Sequence, residues 1–238
     1  MNGNTLLTDY NALIIGASGA IGSAFFDAFK KDVFCLHVET ISRSDSRFGK
    51  DRFDLLMPDS IVKHAAISKA AGPYQIIVDA TGALHIDGVG PEKSLAALEY
   101  DQLVRTFQTN TIGPALVLRE FAPLLASGRC IYAKLSARVG SIADNRKGGW
   151  YGYRSSKAAM NMILQTAALE LQRKNPEAMI VALQPGTVRS RLSNPFSANV
   201  ENLLEPEESA SRMLTALKML TPKIGAHFID YQGRDIPW

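Results

Sequence analysis

Short apolar runs of strand length alternate with longer stretches of helical character along almost the whole chain. The apolar runs lie at 12–15, 33–41, 53–55, 75–80, 129–135, 179–184 and 227–230, and the helical stretches at 21–31, 60–70, 100–125, 151–174 and 206–220. Near-continuous apolar strands separated by helices predict a parallel sheet covered on both faces, a doubly wound α/β arrangement. Seven such strands fit one continuous sheet, so residues 1–238 are expected to form a single domain. Gly72-Pro73 and Gly148-Gly149 punctuate the pattern, and residues 193–208, rich in Ser, Asn, Pro and Glu, read as a mobile loop before the last helix.

Composition narrows the class. With 46% hydrophobic residues in 238, the chain can bury one sizeable core. The balance of 26 Lys+Arg against 23 Asp+Glu leaves +3 without a dense basic run, which argues against nucleic acid as a partner. No apolar run reaches membrane-spanning length, and the first ten residues fit neither a secretory signal nor a transit peptide. A cytoplasmic protein without a membrane partner is the expectation. Cys35 and Cys130 sit in apolar runs with no Cys-x-x-Cys and no histidine pair nearby, so buried free thiols are expected and no metal site.

The first apolar run leads directly into Gly16-Ala17-Ser18-Gly19-Ala20-Ile21-Gly22 and then a helix. Glycine admits a pyrophosphate close to the backbone, and the following helix offers unpaired N–H groups and a partial positive charge. The second strand ends as Glu39-Thr40-Ile41-Ser42-Arg43-Ser44. This is about 20 residues past the glycine turn, where such folds read the adenosine ribose. An acidic side chain there selects NAD, whereas Ser42, Arg43 and Ser44 offer donors and a cation suited to a 2′-phosphate. NADP is therefore expected, with NAD the alternative. Glu39 lies too early on the strand to reach the ribose.

Tyr153 and Lys157 open the fourth helical stretch at i, i+4 spacing. That spacing puts phenol and ammonium on one helix face, where the cation is expected to favour phenolate and equip the tyrosine for acid–base work. An ordinary exposed helix pair has the same spacing, so the rest of the chain decides between them.

The glycine turn, the Tyr153/Lys157 pair and Pro185-Gly186 stand in one order over one chain length. Together they resemble the short-chain dehydrogenase/reductase family. The segment Leu135-Ser136-Ala137-Arg138-Val139-Gly140-Ser141-Ile142, Tyr151-Gly152-Tyr153-Arg154-Ser155-Ser156-Lys157 and the final Gly233-Arg234-Asp235-Ile236-Pro237-Trp238 are similar to its C-factor and carbonyl-reductase-like branch. The resemblance implies a Rossmann sheet of seven strands, a nicotinamide cofactor and an Asn-Ser-Tyr-Lys tetrad. It implies that Tyr153 exchanges a proton with a carbonyl or alcohol oxygen, that Lys157 holds the nicotinamide ribose, and that Asn110 helps hold a water of the proton relay. Asp54 is implied at the adenine amino group, and Ala80, Thr81 and Gly82 alongside the cofactor. Pro185, Gly186, Val188 and Ser190 are implied at the nicotinamide carboxamide and pyrophosphate. Assembly as a homodimer or homotetramer through the long helices is implied as well.

The chain departs from the family pattern in several places. The family's second strand-end serine is Ala137 here; Ser136 stands one residue earlier, where a regular strand turns it to the other face, and Ser141 is the fallback. Ala20 replaces a glycine of the turn, and Asp79-Ala80-Thr81-Gly82 replaces Asn-Asn-Ala-Gly, removing side chains that brace the central strands. His85, Trp150, Tyr151, Pro195, Phe196, Leu203 and Leu204 are candidates to border the substrate or, equally, to pack in place or on a partner subunit. The leading expectation is an NADP-dependent carbonyl reductase or alcohol dehydrogenase acting on a carbonyl or alcohol of modest size. A cofactor-binding signalling or redox-sensing module is the alternative that the Ala137 and Asp79 departures motivate. A methyltransferase accounts for the glycine turn alone.

Overall fold

A computed structural model describes residues 9–43, 52–189 and 203–238. In chain order its strands are β1 (Tyr10–Ile15), β2 (Cys35–Ile41), β3 (Ile76–Asp79), β4 (Cys130–Leu135), β5 (Ala178–Gln184), β6 (Thr187–Val188), β7 (Leu203–Leu204) and β8 (His227–Asp230). The helices are α1 (Ala20–Lys31), α2 (Pro58–Ser68), α3 (Tyr100–Phe107), α4 (Gly113–Phe121), α5 (Tyr151–Gln172) and α6 (Pro206–Met219). Six strands form one parallel sheet in the order β2-β1-β3-β4-β5-β8, and β6 pairs with β7 separately.

Strand alternation sends successive side chains to opposite faces. Leu13, Ile15, Ile77, Tyr132, Ile180 and Ala182 meet residues of α2, α4 and α5 such as Ile61, Phe121 and Leu164. Ile14, Val78, Ala133 and Val181 meet Phe25 and Phe29 of α1 and Met213 and Leu217 of α6. Every residue of β3 and β4 is buried, as a central parallel strand requires. β2, at the sheet edge, is mostly half-buried, Cys35 included, while Cys130 is buried as expected.

One expectation is corrected and two are given more detail. Among the described residues the main sheet has six strands, not seven, because 53–55 is not a strand. There Phe53 is buried with its ring edge-on to His64, and Asp54 closes a turn by accepting the Leu56 N–H at 2.9 Å. Those local bonds replace a ladder. The helix expected over 100–125 is present as a continuous helical run, with a π turn at Gln108–Ile112 inside it and a 3-10 turn at Ala122–Leu124 at its end. Pro114 has no N–H for the carbonyl of Asn110, so the α ladder is interrupted there. Of the loop expected over 193–208, residues 193–202 lie outside the described residues; the remainder is β7 and the start of α6.

The chain leaves β1 for β2 on one side and later returns to place β3 on the other. This reversal is a topological switch point, which opens a crevice at the carboxyl ends of β1 and β3.

Candidate active site

The glycine turn lies in that crevice. Gly16 adopts φ +90, and a Cβ there would stand 3.1 Å from the Ala80 carbonyl carbon and 3.2 Å from the Thr81 nitrogen, so only glycine fits between the two strand ends. Gly16 and Ala17 donate to the Ile41 carbonyl at 2.8 and 3.2 Å, tying the end of β2 to the turn. Gly19 is the N-cap of α1 and makes no side-chain cap bond. Ser18, Gly19 and Ala20 are exposed, Ile21 is half-buried and Gly22 is buried against Gly16. An open helix terminus above a backbone with no side chain in the way fits a pyrophosphate.

Ser42 and exposed Arg43 follow β2. Arg43 lines an open pocket of about 490 Å³ together with Arg52, Lys63, Asp54, Asp59 and Ser60. Arg52 and Lys63 were not legible as candidates, because the segment joining them to β2 has no fixed spacing; only the fold brings them beside Arg43. Ser44 lies outside the described residues. Glu39 faces away from this pocket: its carboxylate accepts from Ser68 Oγ at 2.7 Å and from the Tyr74 hydroxyl.

Gly82, Asn110 and Lys157 converge at the ends of β3 and β4. Gly82 has φ +123, and a Cβ there would come within 2.9 Å of Asn110 Oδ1 and 3.3 Å of Lys157 Nζ. Asn110, buried in the π turn, clamps Ala83, accepting its N–H at 2.9 Å and donating to its carbonyl at 2.8 Å. Lys157 Nζ donates to the Leu135 carbonyl at 3.3 Å and lies 5.6 Å from the Tyr153 ring centroid. The half-buried Tyr153 ring meets Trp150 edge-on, with centroids 6.2 Å apart.

Electrostatics depart from the expectation drawn from spacing. Burial pushes the Tyr153 phenol up to about 12. Burial also pushes the Lys157 ammonium down to about 7, with Lys134 adding to the fall and Asp79 opposing it. In the protein alone, therefore, the ammonium does not draw the phenol toward phenolate, because desolvation disfavours the charged form of both groups. A stability effect follows. Unfolded Lys157 binds its proton up to the ordinary 10.5 but folded Lys157 only to about 7, so stability rises with pH across that window. Lys157→Met is expected to be more stable than the parent below pH ~7 by a few kcal/mol, the advantage vanishing above pH ~10.5. Denaturant titrations at several pH values check this.

Ser136 is buried, and its Oγ donates to Asn161 Oδ1 at 2.6 Å, one helical turn beyond Lys157. Ser141 is buried too, its Oγ accepting the Asp144 N–H at 3.0 Å. Pro185 and Gly186 follow β5, with the Pro185 carbonyl accepting from Ser209 Oγ at 2.6 Å; Val188 is buried in β6, and Ser190 lies outside the described residues. Leu204 packs beside Gly186 rather than in a loop, and His85 sits in the turn before Gly90; Pro195 and Phe196 are outside the described residues.

Glu92 escaped the sequence reading. Its carboxylate accepts the Gly152 N–H at 3.0 Å, and its carbonyl accepts the Trp150 N–H at 2.5 Å, so it anchors the start of α5. Trp150 enters the helix at φ +55. The available signal was negative: 148–152 offers no Ser, Thr, Asp or Asn cap, so the partner had to come from elsewhere.

Among the described residues no group of three His, Cys, Asp or Glu is placed to hold a metal, and no helix is long and apolar enough to cross a membrane.

A doubly wound sheet with its crevice at the switch point and a Tyr/Lys helix beside it defines an α/β protein of the dinucleotide-binding kind. The chain belongs to the short chain dehydrogenase family, whose model matches residues 10–201. The C-signal of Myxococcus xanthus is 32% identical over 175 residues, 73% of this chain and 98% of that relative. The 1-hydroxy-2-glutathionyl-2-methyl-3-butene dehydrogenase of Rhodococcus sp. (strain AD45) is 30% identical over 186 residues, 78% of each. A short-chain dehydrogenase/reductase of Burkholderia multivorans, solved with bound NADP, superposes with a TM-score of 0.80 at 26% identity, covering 97% of this chain and all of that one. The NADPH-bound carbonyl reductase from chicken fatty liver shares the fold, with a TM-score of 0.83 at 21% identity over 99% of this chain and 97% of its own.

Proposed function

We propose that this protein transfers a hydride between NADP(H) and a small aldehyde, ketone or alcohol. The observation that carries the reading is the meeting of Gly82, Asn110, Lys157 and Tyr153 beside the glycine turn, at the mouth of the switch-point crevice. A nicotinamide cofactor held by these residues would supply or accept the hydride. Tyr153 holds its proton at neutral pH and gives it to the carbonyl oxygen in reduction, taking it back in oxidation. Lys157 binds the nicotinamide ribose and Asn110 keeps the loop after β3 in register. Ser136 is the serine proposed beside the substrate oxygen, for which its hydroxyl must turn from Asn161.

In the same reading Gly16, Ser18, Gly19, Ala20, Ile21 and Gly22 take the pyrophosphate. Ala80, Thr81 and Gly82 flank the cofactor, Asp54 meets the adenine, and Pro185, Gly186, Val188 and Ser190 meet the nicotinamide. Ser42, Arg43 and Ser44 select NADP, with Arg52 joining them from across the pocket. Arg43→Ala is expected to weaken NADPH binding at least ~10-fold while changing NADH binding little, as loss of one charge-assisted bond implies. Fluorescence titration with both cofactors checks it, and equal losses for the two would refute the assignment. Two or four copies assembled through α5 belong to this reading; Met162 and Leu169 of that helix are exposed.

One observation favours a second reading, a cofactor-binding module with little turnover: the Ser136 hydroxyl is already committed to Asn161. Consumption of NADPH and NADH against a panel of aldehydes and ketones separates the two. NADPH-dependent turnover supports the reductase, and tight NADPH binding without turnover supports the module.

A further inference from the structure

Beneath the site lies an ion pair that its chemistry does not require. Lys134 of β4 and Asp79 of β3 are register partners with no exposed side-chain surface, their charged atoms 3.0 Å apart. A lysine inside a central strand is costly unless every donor is met. Here Lys134 Nζ donates to Asp79 Oδ1 at 3.0 Å, to the Thr81 carbonyl at 2.6 Å and to Thr81 Oγ1 at 3.0 Å. Asp79 Oδ1 also accepts the Thr81 N–H at 2.9 Å and its hydroxyl at 2.6 Å. The Tyr132 hydroxyl approaches Asp79 Oδ2 at 3.4 Å. Thr81 is thus held through its N–H, hydroxyl and carbonyl by two charged side chains. The next residue is Gly82, which meets Asn110 and Lys157.

We propose that Asp79 and Lys134 are positioning residues for the active site, which fix the loop 80–83 against Asn110 and Lys157 and hold a second buried cation close to the lysine of the Tyr/Lys pair. The inference rests on the functional reading above only for the name of the site; the coupling to Lys157 is a property of the protein alone. Lys157 Nζ bonds the carbonyl of Leu135, the neighbour of Lys134 along β4. Lys134 follows burial as the next cause of the lowered Lys157 proton affinity, ahead of the opposing Asp79. Of the other charged groups near α5, Arg105 pairs with Asp87, Arg119 with Glu120, and Arg138 with Asp144 and Asp230; Asp101 of α3 is exposed, and the Glu92 carboxylate faces the first turn of α5, where it accepts the Gly152 N–H. Tyr153, on its own helix, stays neutral.

The test is a titration of the cofactor-free, full-length protein with 13C-labelled lysine, the Lys157 signal being identified by its loss in Lys157→Met. Lys134→Met and Lys134→Gln are both expected to raise the Lys157 midpoint by at least ~0.5 pH unit, since one nearby buried charge is removed. The double change Asp79→Asn with Lys134→Met is expected to raise it less, because the opposing carboxylate goes as well. Backbone amide exchange at Gly82 and Ala83 is expected to quicken at least ~10-fold in Lys134→Met and less in Lys134→Gln, which keeps a donor for the Thr81 carbonyl. A scaffold role without charge coupling gives no such ordering of midpoints. An unmoved Lys157 midpoint in either folded single variant overturns the proposal. Midpoints that shift in this order in a protein inactive toward every carbonyl sustain the pair's role while removing the reductase reading. Unmoved midpoints in a protein whose activity depends on Tyr153 remove the pair's role alone.

Discussion

Tyr153→Phe is expected to lower NADPH-dependent carbonyl reduction by at least ~100-fold, the usual scale for losing a positioned general acid. The change removes one oxygen and leaves the ring, so its edge contact with Trp150 and its place beside Lys157 persist. Cofactor binding is therefore expected to stay within about threefold of the parent, a difference of less than ~0.7 kcal/mol. The pairing of a large loss in kcat with an unchanged NADPH Kd is what distinguishes a missing proton from a disturbed pocket. Steady-state kinetics beside fluorescence titration of NADPH measure both. Full activity in the phenylalanine variant would remove Tyr153 from the chemistry. Because burial holds the phenol near 12, the proton donor is present throughout the neutral range, and its loss as pH rises is expected only toward that value in the protein alone.

The second large effect is on stability. Asp79→Ala leaves Lys134 buried with no carboxylate and leaves the Thr81 N–H and hydroxyl without their acceptor. Removing one partner of a buried ion pair costs about 3–5 kcal/mol, most of it the desolvation of the charge left behind. For a chain of this length that corresponds to a fall in Tm of roughly 6–20 °C. Replacing both partners, as Asp79→Leu with Lys134→Met, is expected to cost distinctly less than Asp79→Ala, since no charge is stranded. Thermal melts of the three proteins decide the matter; equal losses for the single and double variants would mean that shape, not charge, governs this place in the sheet.

The legible parts of this protein are those written in consecutive residues. Gly16 to Gly22 can be read because a strand, a tight turn and a helix follow one another within the reach of a single motif. Tyr153 and Lys157 can be read because helical periodicity alone sets them on one face. The expected strand at 53–55 went wrong for a complementary reason: three residues of apolar character do not distinguish a strand from a buried turn. The Asp54 and Ser60 side chains that close the turn act beyond such a short window. The long helix over 100–125 was legible from its pattern, and its π turn sits just before Pro114, whose missing N–H interrupts the α ladder beside Asn110.

By itself, the sequence determined the alternation of strand and helix, the phosphate-type turn and the Tyr/Lys face, since each rests on local geometry. Only the tertiary structure decided that Lys134 is buried with Asp79, that Glu92 starts α5, that Arg52 stands with Arg43, and that the Ser136 hydroxyl turns to Asn161. It also reversed the expected electrostatics of Tyr153 and Lys157, because burial is a property of everything packed around a group and outweighs the charge four residues away.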